Sequence, residues 1–180
     1  MGNVSYSAHI SNGKSAITSK SKLLGVAKHN LRKYKSPEYS SDNILLLRGT
    51  EDLYQDVKNV YHQEFDEVIK EYNEKQKRAD RKIDDYFSKI LHDKKTHHQQ
   101  ELIVAVGCKD ENTEEIFEMK KNILDEYMKG FQERNPNLKV YNAVMHLDEA
   151  NPHLHINFVP VYESKRGLSK KIYCLINLHF

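Results

Sequence analysis

The segment HLDEANPHLHINFVPV, His146 to Val161, restricts the fold more than any other part of the chain. Leu154, Ile156 and Phe158 alternate with His153 and His155, the period-two pattern of a strand whose two faces differ. Val140 to His146 reads as a partner strand, and Asp148, Glu149, Asn151 and Pro152 between the two are turn formers. A hairpin turning near Ala150 sets His146 opposite His153 and Val144 opposite His155. Directly opposed residues have Cβ atoms roughly 5 Å apart, so the three imidazoles meet on one face. Leu154, Ile156, Phe158, Met145 and Ala143 form the other face, which needs helices to cover it.

A lone histidine on a strand is ordinarily a surface or satisfied core residue. Three neutral imidazoles on one patch are instead a divalent-metal site with positions left for water or substrate. His146, His153 and His155 are therefore the candidate metal ligands. Asp148 and Glu149 serve equally as turn formers or as carboxylates that orient an imidazole by accepting its second N–H, and Glu149 is preferred for that role. His9, His62, His92, His97, His98 and His179 show no partner spacing and read as surface residues.

The rest of the chain alternates helices with strands. Val4 to Ile10 reads as a short strand, followed by a Gly/Ser/Lys-rich loop and a short basic helix around Leu23 to Lys33 that Ser36-Pro37 stops. Thr50 is positioned to cap a helix carrying Leu53, Val57, Val60, Phe65, Val68, Ile69 and Tyr72. A second amphipathic segment holds Ile83, Tyr86, Phe87, Ile90 and Leu91, and the polar run Lys94 to Gln100 ends it. Leu102 to Val106 reads as a strand. Asn112 opens a further helix, with Glu115 in the capping-box position, that runs through Phe131 and ends before Asn135-Pro136. The expected class is α+β: an antiparallel sheet with helices packed on one face and the histidines on the open face.

With 180 residues the chain suits one domain with one substantial core. The net charge is only +2, so composition alone does not announce a nucleic-acid binder. Its distribution says more. Lys14, Lys20, Lys22, Lys28, Arg32, Lys33 and Lys35 fall in a stretch with no acidic residue, a pattern that can follow a phosphate backbone or simply form a solvated face. Tyr6 and Tyr34 flank or interleave it and offer rings for stacking. Cys108 and Cys174 have neither metal nor redox spacing, which fits a reducing cytosol. No apolar run approaches the roughly 20 residues of a membrane span, and no signal peptide is evident, so a cytoplasmic setting is expected.

The string HLDEANPHLH resembles the His-x-Asp-Glu-x-x-Pro-His-x-His motif of the Mob/Pre relaxases, a family of bacterial plasmid mobilisation and recombination proteins. GVAKHNLRKY resembles that family's N-terminal Lys-His-Asn-x-Arg signature, and SYSAHISNG and RKIDDYF also look familial. The resemblance extends to about Lys171. It implies an antiparallel sheet with helices, as in other relaxases and rolling-circle initiators. It implies metal ligation by His146, His153 and His155, with manganese or magnesium as the ion. His29 matches the histidine proposed as nucleophile in the family, and Asn30 and Arg32 match its neighbours. The implied partners are single-stranded and supercoiled plasmid DNA at a transfer origin, and other mobilisation or coupling proteins. Lys22, Lys28, Asn30, Arg32 and Lys33 are the candidate DNA contacts, Arg32 through a forked phosphate contact. His29, Glu149 and Arg32 are the candidate catalytic set.

Residues 1–171 are expected to form the nicking domain. The apolar end IYCLINLHF, from Ile172 to Phe180, departs from the family's polar continuation and reads as a truncated or frame-shifted tail. Two other functions remain open: a metal-dependent phosphodiesterase that hydrolyses DNA without an adduct, and a remnant that binds origin DNA without cutting. Tyr34 and Tyr39 are the rival nucleophiles. If His29 attacks phosphorus, nicking weakens as pH falls through roughly 6.5, where imidazole gains a proton and loses its lone pair. A rate–pH profile flat between about pH 8 and about pH 5.5 would count against it.

Overall fold

The computed structural model describes residues 5–34, 40–93, 96–107 and 113–173. Tyr39, Cys108, Asn112 and residues 174–180, with Cys174 and His179, lie outside these segments. In chain order the elements are β1 (Tyr6–Ile10), α1 (Lys20–Asn30), β2 (Ile44–Arg48), α2 (Leu53–Glu74), α3 (Tyr86–Leu91), β3 (Gln100–Val106), α4 (Glu114–Lys129), α5 (Phe131–Arg134), β4 (Leu138–His146), β5 (His153–Glu163) and β6 (Lys170–Ile172). The strands form an antiparallel sheet ordered β1-β3-β5-β4-β2, with β6 paired to β5.

The hairpin has the register that alternation requires, His146 opposite His153 and Val144 opposite His155. Leu154, Ile156 and Phe158 pack with Ala143 and Met145 and with Leu102 and Val104 of β3. Leu124 and Met128 of α4 and Phe131 of α5 cover them. Sequence reading joins α4 and α5 as one helix; the chain breaks at Gly130 and resumes for one turn.

The opposite face is not open. Leu23 of α1, Leu53, Val57 and Phe65 of α2 and Phe87 of α3 pack there with Tyr141, Val144, Val159 and Val161. Helices therefore lie on both faces, which corrects the expectation of one. Val159 and Val161 continue the same face as His153 and His155, so only the histidine end of that face is polar and the rest requires apolar cover. His146 and His155 are themselves 0% and 2% exposed.

The caps of α2 and α4 fall on Asp52 and Thr113. Asp52, not Thr50, caps α2 by accepting from Gln55 N at 3.0 Å. Thr50 accepts from Asp52 N at 3.1 Å and donates to Asp56 Oδ1 at 2.9 Å. Thr113 caps α4. His98, read as a surface residue, is 1% exposed; its carbonyl accepts from the Tyr61 hydroxyl at 2.7 Å and burial, with His97 beside it, pushes its pKa down to about 4. The expected boundary after residue 171 falls inside β6, where Ile172 pairs with Val161 and is buried.

Phe131 is 1% exposed at the centre of the α4–α5 cover. Phe131→Ala is expected to cost about 3–5 kcal/mol by deleting buried surface and leaving a cavity. Urea denaturation checks this, and a loss below about 1 kcal/mol would contradict the packing described.

Candidate metal centre and its histidine rim

The centre is built where the C-terminal end of α1 meets the β4–β5 hairpin and β3. The rings of His146, His153 and His155 converge, with centroids 5.0 Å apart for His146–His153, 4.4 Å for His146–His155 and 5.0 Å for His153–His155. Each ring is anchored through one nitrogen. His146 donates Nε2–H to the Asn30 carbonyl at 2.9 Å. His155 donates Nδ1–H to Glu101 Oε1 at 2.9 Å, and His153 donates Nδ1–H to the Asn151 carbonyl at 3.0 Å. A carbonyl or carboxylate can only accept, so the proton position on each ring follows, and the other nitrogen keeps its lone pair.

Those remaining nitrogens decide whether a metal fits. His146 Nδ1 and His155 Nε2 are buried with no hydrogen-bond partner, a costly state for a polar atom. Ligand atoms of His146 come within 4.8 Å of two sets, one with His29 and His155 and one with Glu149 and His153. Neutral imidazoles with one nitrogen fixed and the other bare are the donor set of a divalent ion, so these residues fit a metal; the two close sets divide the predicted His146, His153 and His155 between them. Protonation is opposed at this site: burial, then His155, holds His146 down to about 2, and burial also lowers His153.

His29 stands on the last turn of α1 at the rim, partly exposed, with its ring 5.2 Å from His146 and 5.3 Å from His155. Burial lowers its pKa, and the nearby His155 and Arg32 lower it further. A group held below its ordinary value stays neutral to lower pH, so the His29 lone pair is lost below 6.5 rather than at it.

The carboxylate that orients an imidazole is Glu101, which sequence reading missed. It accepts from His155 and, at 2.8 Å, from Asn30 Nδ2. Burial alone would raise its pKa; the His155 and Asn30 hydrogen bonds outweigh that and hold it below the ordinary value. Glu101 follows the polar run before β3 and no motif marks it, so no sequence signal pointed to it. Glu149, the residue preferred for that role, instead accepts from Arg32 Nη2 at 2.6 Å and stands 4.0 Å from His153 Nε2.

The DNA candidates separate. Arg32 is 3% exposed, and its fork is filled by Asp148, through Nε at 2.9 Å and Nη2 at 2.7 Å. Asn30 is fully buried and ties α1 to β3 and β4. Neither side chain faces solvent, which corrects their reading as direct phosphate contacts. Lys22 is exposed and donates to the Ala16 carbonyl at 2.8 Å. Lys28 and Lys33, with Lys20 and Tyr54, line an open groove of about 1140 Å³ between α1 and the start of α2. Glu51 and Asp52 share that groove. Tyr6 and Tyr34 are 61% and 45% exposed.

The chain is similar to the MobM relaxase domain (MOBV; Mob_Pre) bound to plasmid pMV158 oriT DNA of 22 nt, in a Mn-bound crystal structure at pH 5.5. The match has 20% identity and a TM-score of 0.52 and covers 91% of this chain and 73% of that one. A Mn-bound form of the same domain at pH 6.8, with 22 nt and a 3′-thiophosphate, matches at 21% identity and a TM-score of 0.50, covering 91% and 74%. Comparison with curated protein sequences finds no match. The sequence pattern of the plasmid recombination enzyme family, Mob_Pre, matches residues 16–174, and the chain belongs to that family.

Glu101→Ala removes the acceptor that fixes His155. It is expected to weaken Mn2+ binding by roughly 10–100-fold, as loss of such supporting groups does elsewhere. Titration calorimetry on the folded variant reads this, and unchanged affinity would show that the carboxylate does not support the centre.

Proposed function

We propose that this chain is the DNA-nicking domain of a metal-dependent plasmid relaxase, cutting one strand at a transfer origin by transesterification and supporting mobilisation or site-specific plasmid recombination. The observation that carries this reading is His29, a neutral imidazole at the rim of a centre whose buried nitrogens lack partners. Family membership and the Mn-bound, oriT-bound MobM domains of like fold support it.

His146, His153 and His155 would hold the ion, Mn2+ by that likeness and Mg2+ as the other choice. When bound, a divalent ion supplies a Lewis acid for the scissile phosphate and the departing oxygen. His29 attacks phosphorus through its unprotonated nitrogen, forming a P–N bond as the bond to the 3′ oxygen breaks and its electron pair leaves on that oxygen. The protein stays on the 5′ phosphate, and return of the 3′ oxygen restores the diester. Arg32 acts through Asp148 and Glu149, holding the hairpin turn against the end of α1. Lys28 and Lys33, with Lys20, give the strand phosphate contacts beside His29.

A hydrolytic reading has one observation in its favour: ligand atoms of His29, His146 and His155 lie within 4.8 Å of one another, so His29 can serve as a ligand rather than a nucleophile. The test separates the two. Labelled single-stranded origin DNA is incubated with the chain or its His29→Ala variant, with and without Mn2+, and run on a denaturing gel. The expected result is a slow-migrating adduct only with Mn2+ and His29. Cleavage by His29→Ala is expected to fall by a factor on the order of 10⁴ or more. Cutting without an adduct would favour hydrolysis, and binding without cutting in any lane would favour a non-catalytic origin binder.

A further inference from the structure

Lys120 is a lysine buried on the wrong side of the sheet for the chemistry. It lies on α4, the helix that covers the apolar face, and is only 3% exposed. Burying an ammonium costs both side-chain entropy and hydration, so acceptors must hold it. Its Nζ donates to Asn151 Oδ1 at 3.0 Å, in the turn of the histidine hairpin. The route passes the end of β3 at Gly107, which has φ +66°. A Cβ there would lie 2.9 Å from Lys120 Cε and 3.4 Å from Nζ, so the glycine leaves the space that the lysine stem fills.

Asn151 is fixed from both ends. While Oδ1 accepts a hydrogen bond from the lysine ammonium, Nδ2 donates to the Val106 carbonyl at 3.3 Å. An ammonium can only donate and a carbonyl only accept, so one orientation of the amide satisfies both. The backbone carbonyl of the same residue accepts Nδ1–H of His153 at 3.0 Å. That bond places the proton on Nδ1 and leaves Nε2 bare on the side of Glu149. The chain of contacts thus runs from α4, past the end of β3, into the turn and onto one ring of the centre.

We propose that Lys120 is a positioning residue for the metal centre: through Asn151 it holds His153 in the Nδ1–H tautomer that presents Nε2 to the ion. This rests on His153 being a metal ligand. Gly107 is then the position that admits the lysine, and Asn151, at an unspecified position of the histidine motif, becomes part of the support.

The test uses the full chain with Lys120→Met, which keeps the stem over Gly107 and removes the donor, with Asn151→Ala, and with both together. Nitrogen-15 NMR of the metal-free chain reads the His153 tautomer, and calorimetry reads Mn2+ affinity. The wild type is expected to show a single Nδ1–H form. Each single variant is expected to show a mixture with Nε2–H and to bind Mn2+ roughly 10–100-fold more weakly. The double variant is expected to be no weaker than either single one, because both act on one link. A wild-type tautomer and affinity in Lys120→Met overturns the proposal. Should that variant not fold, the same result in Asn151→Ala overturns it. A shifted tautomer with unchanged affinity also overturns it if His153→Ala weakens binding. If His153→Ala binds Mn2+ as tightly as the wild type, the ligand assignment fails instead, while the tautomer measurement still reports on the lysine.

Discussion

The site depends on a single residue at the end of α1 that is held by two strands at once. Asn30 accepts from His146 of β4 through its backbone carbonyl and donates from its side chain to Glu101 of β3, which in turn holds His155 of β5. A helix terminus ordinarily leaves its last carbonyls without intrahelical partners. Here one of those carbonyls is satisfied by an imidazole, so ending the helix and orienting a ligand are the same event. His29 precedes Asn30, and its placement at the rim follows from this anchor.

Arg32 completes the clamp two residues later. It is the one non-glycine residue with positive φ among the described residues, at 50°. For a residue with a Cβ this left-handed conformation costs roughly 1–3 kcal/mol. It persists because the guanidinium meets Asp148 and Glu149 in the hairpin turn, with the Arg32 and Asp148 side chains 1% and 2% exposed. Removing Arg32 would strip the buried Asp148 carboxylate of this cation, whereas Arg32 would keep Glu149 if Asp148 were lost. The turn between the histidine strands is therefore held from α1 by an ion pair and from α4 by a lysine–amide contact.

The two faces of the sheet divide the labour. One is apolar along its length, with Leu154, Ile156 and Phe158 under α4 and α5. The other changes character along the same strands, from Val159 and Val161 under α1, α2 and α3 to His153 and His155 at the hairpin end. Burial at that end keeps His146 neutral and lowers the pKa of His153 and His29, the condition under which imidazole is both a ligand and a base.

The hairpin, its register and the convergence of three histidines were legible in the sequence, because a period of two and a turn of a few residues are local properties. So were the amphipathic α2 and α4 and the basic character of α1. β2 was missed because ILLL has no alternation, and β6 because three residues carry no periodic signal. The supports of the centre were not legible. Glu101 lies 71 residues from Asn30 and 54 from His155, Arg32 is 116 residues from Asp148, and Lys120 is 31 from Asn151. No local spacing encodes such pairs. The sequence by itself determined that the hairpin would gather His146, His153 and His155 on one patch. Only the tertiary structure decided which nitrogen of each ring is left bare, because that depends on acceptors and donors that packing of distant elements brings into place.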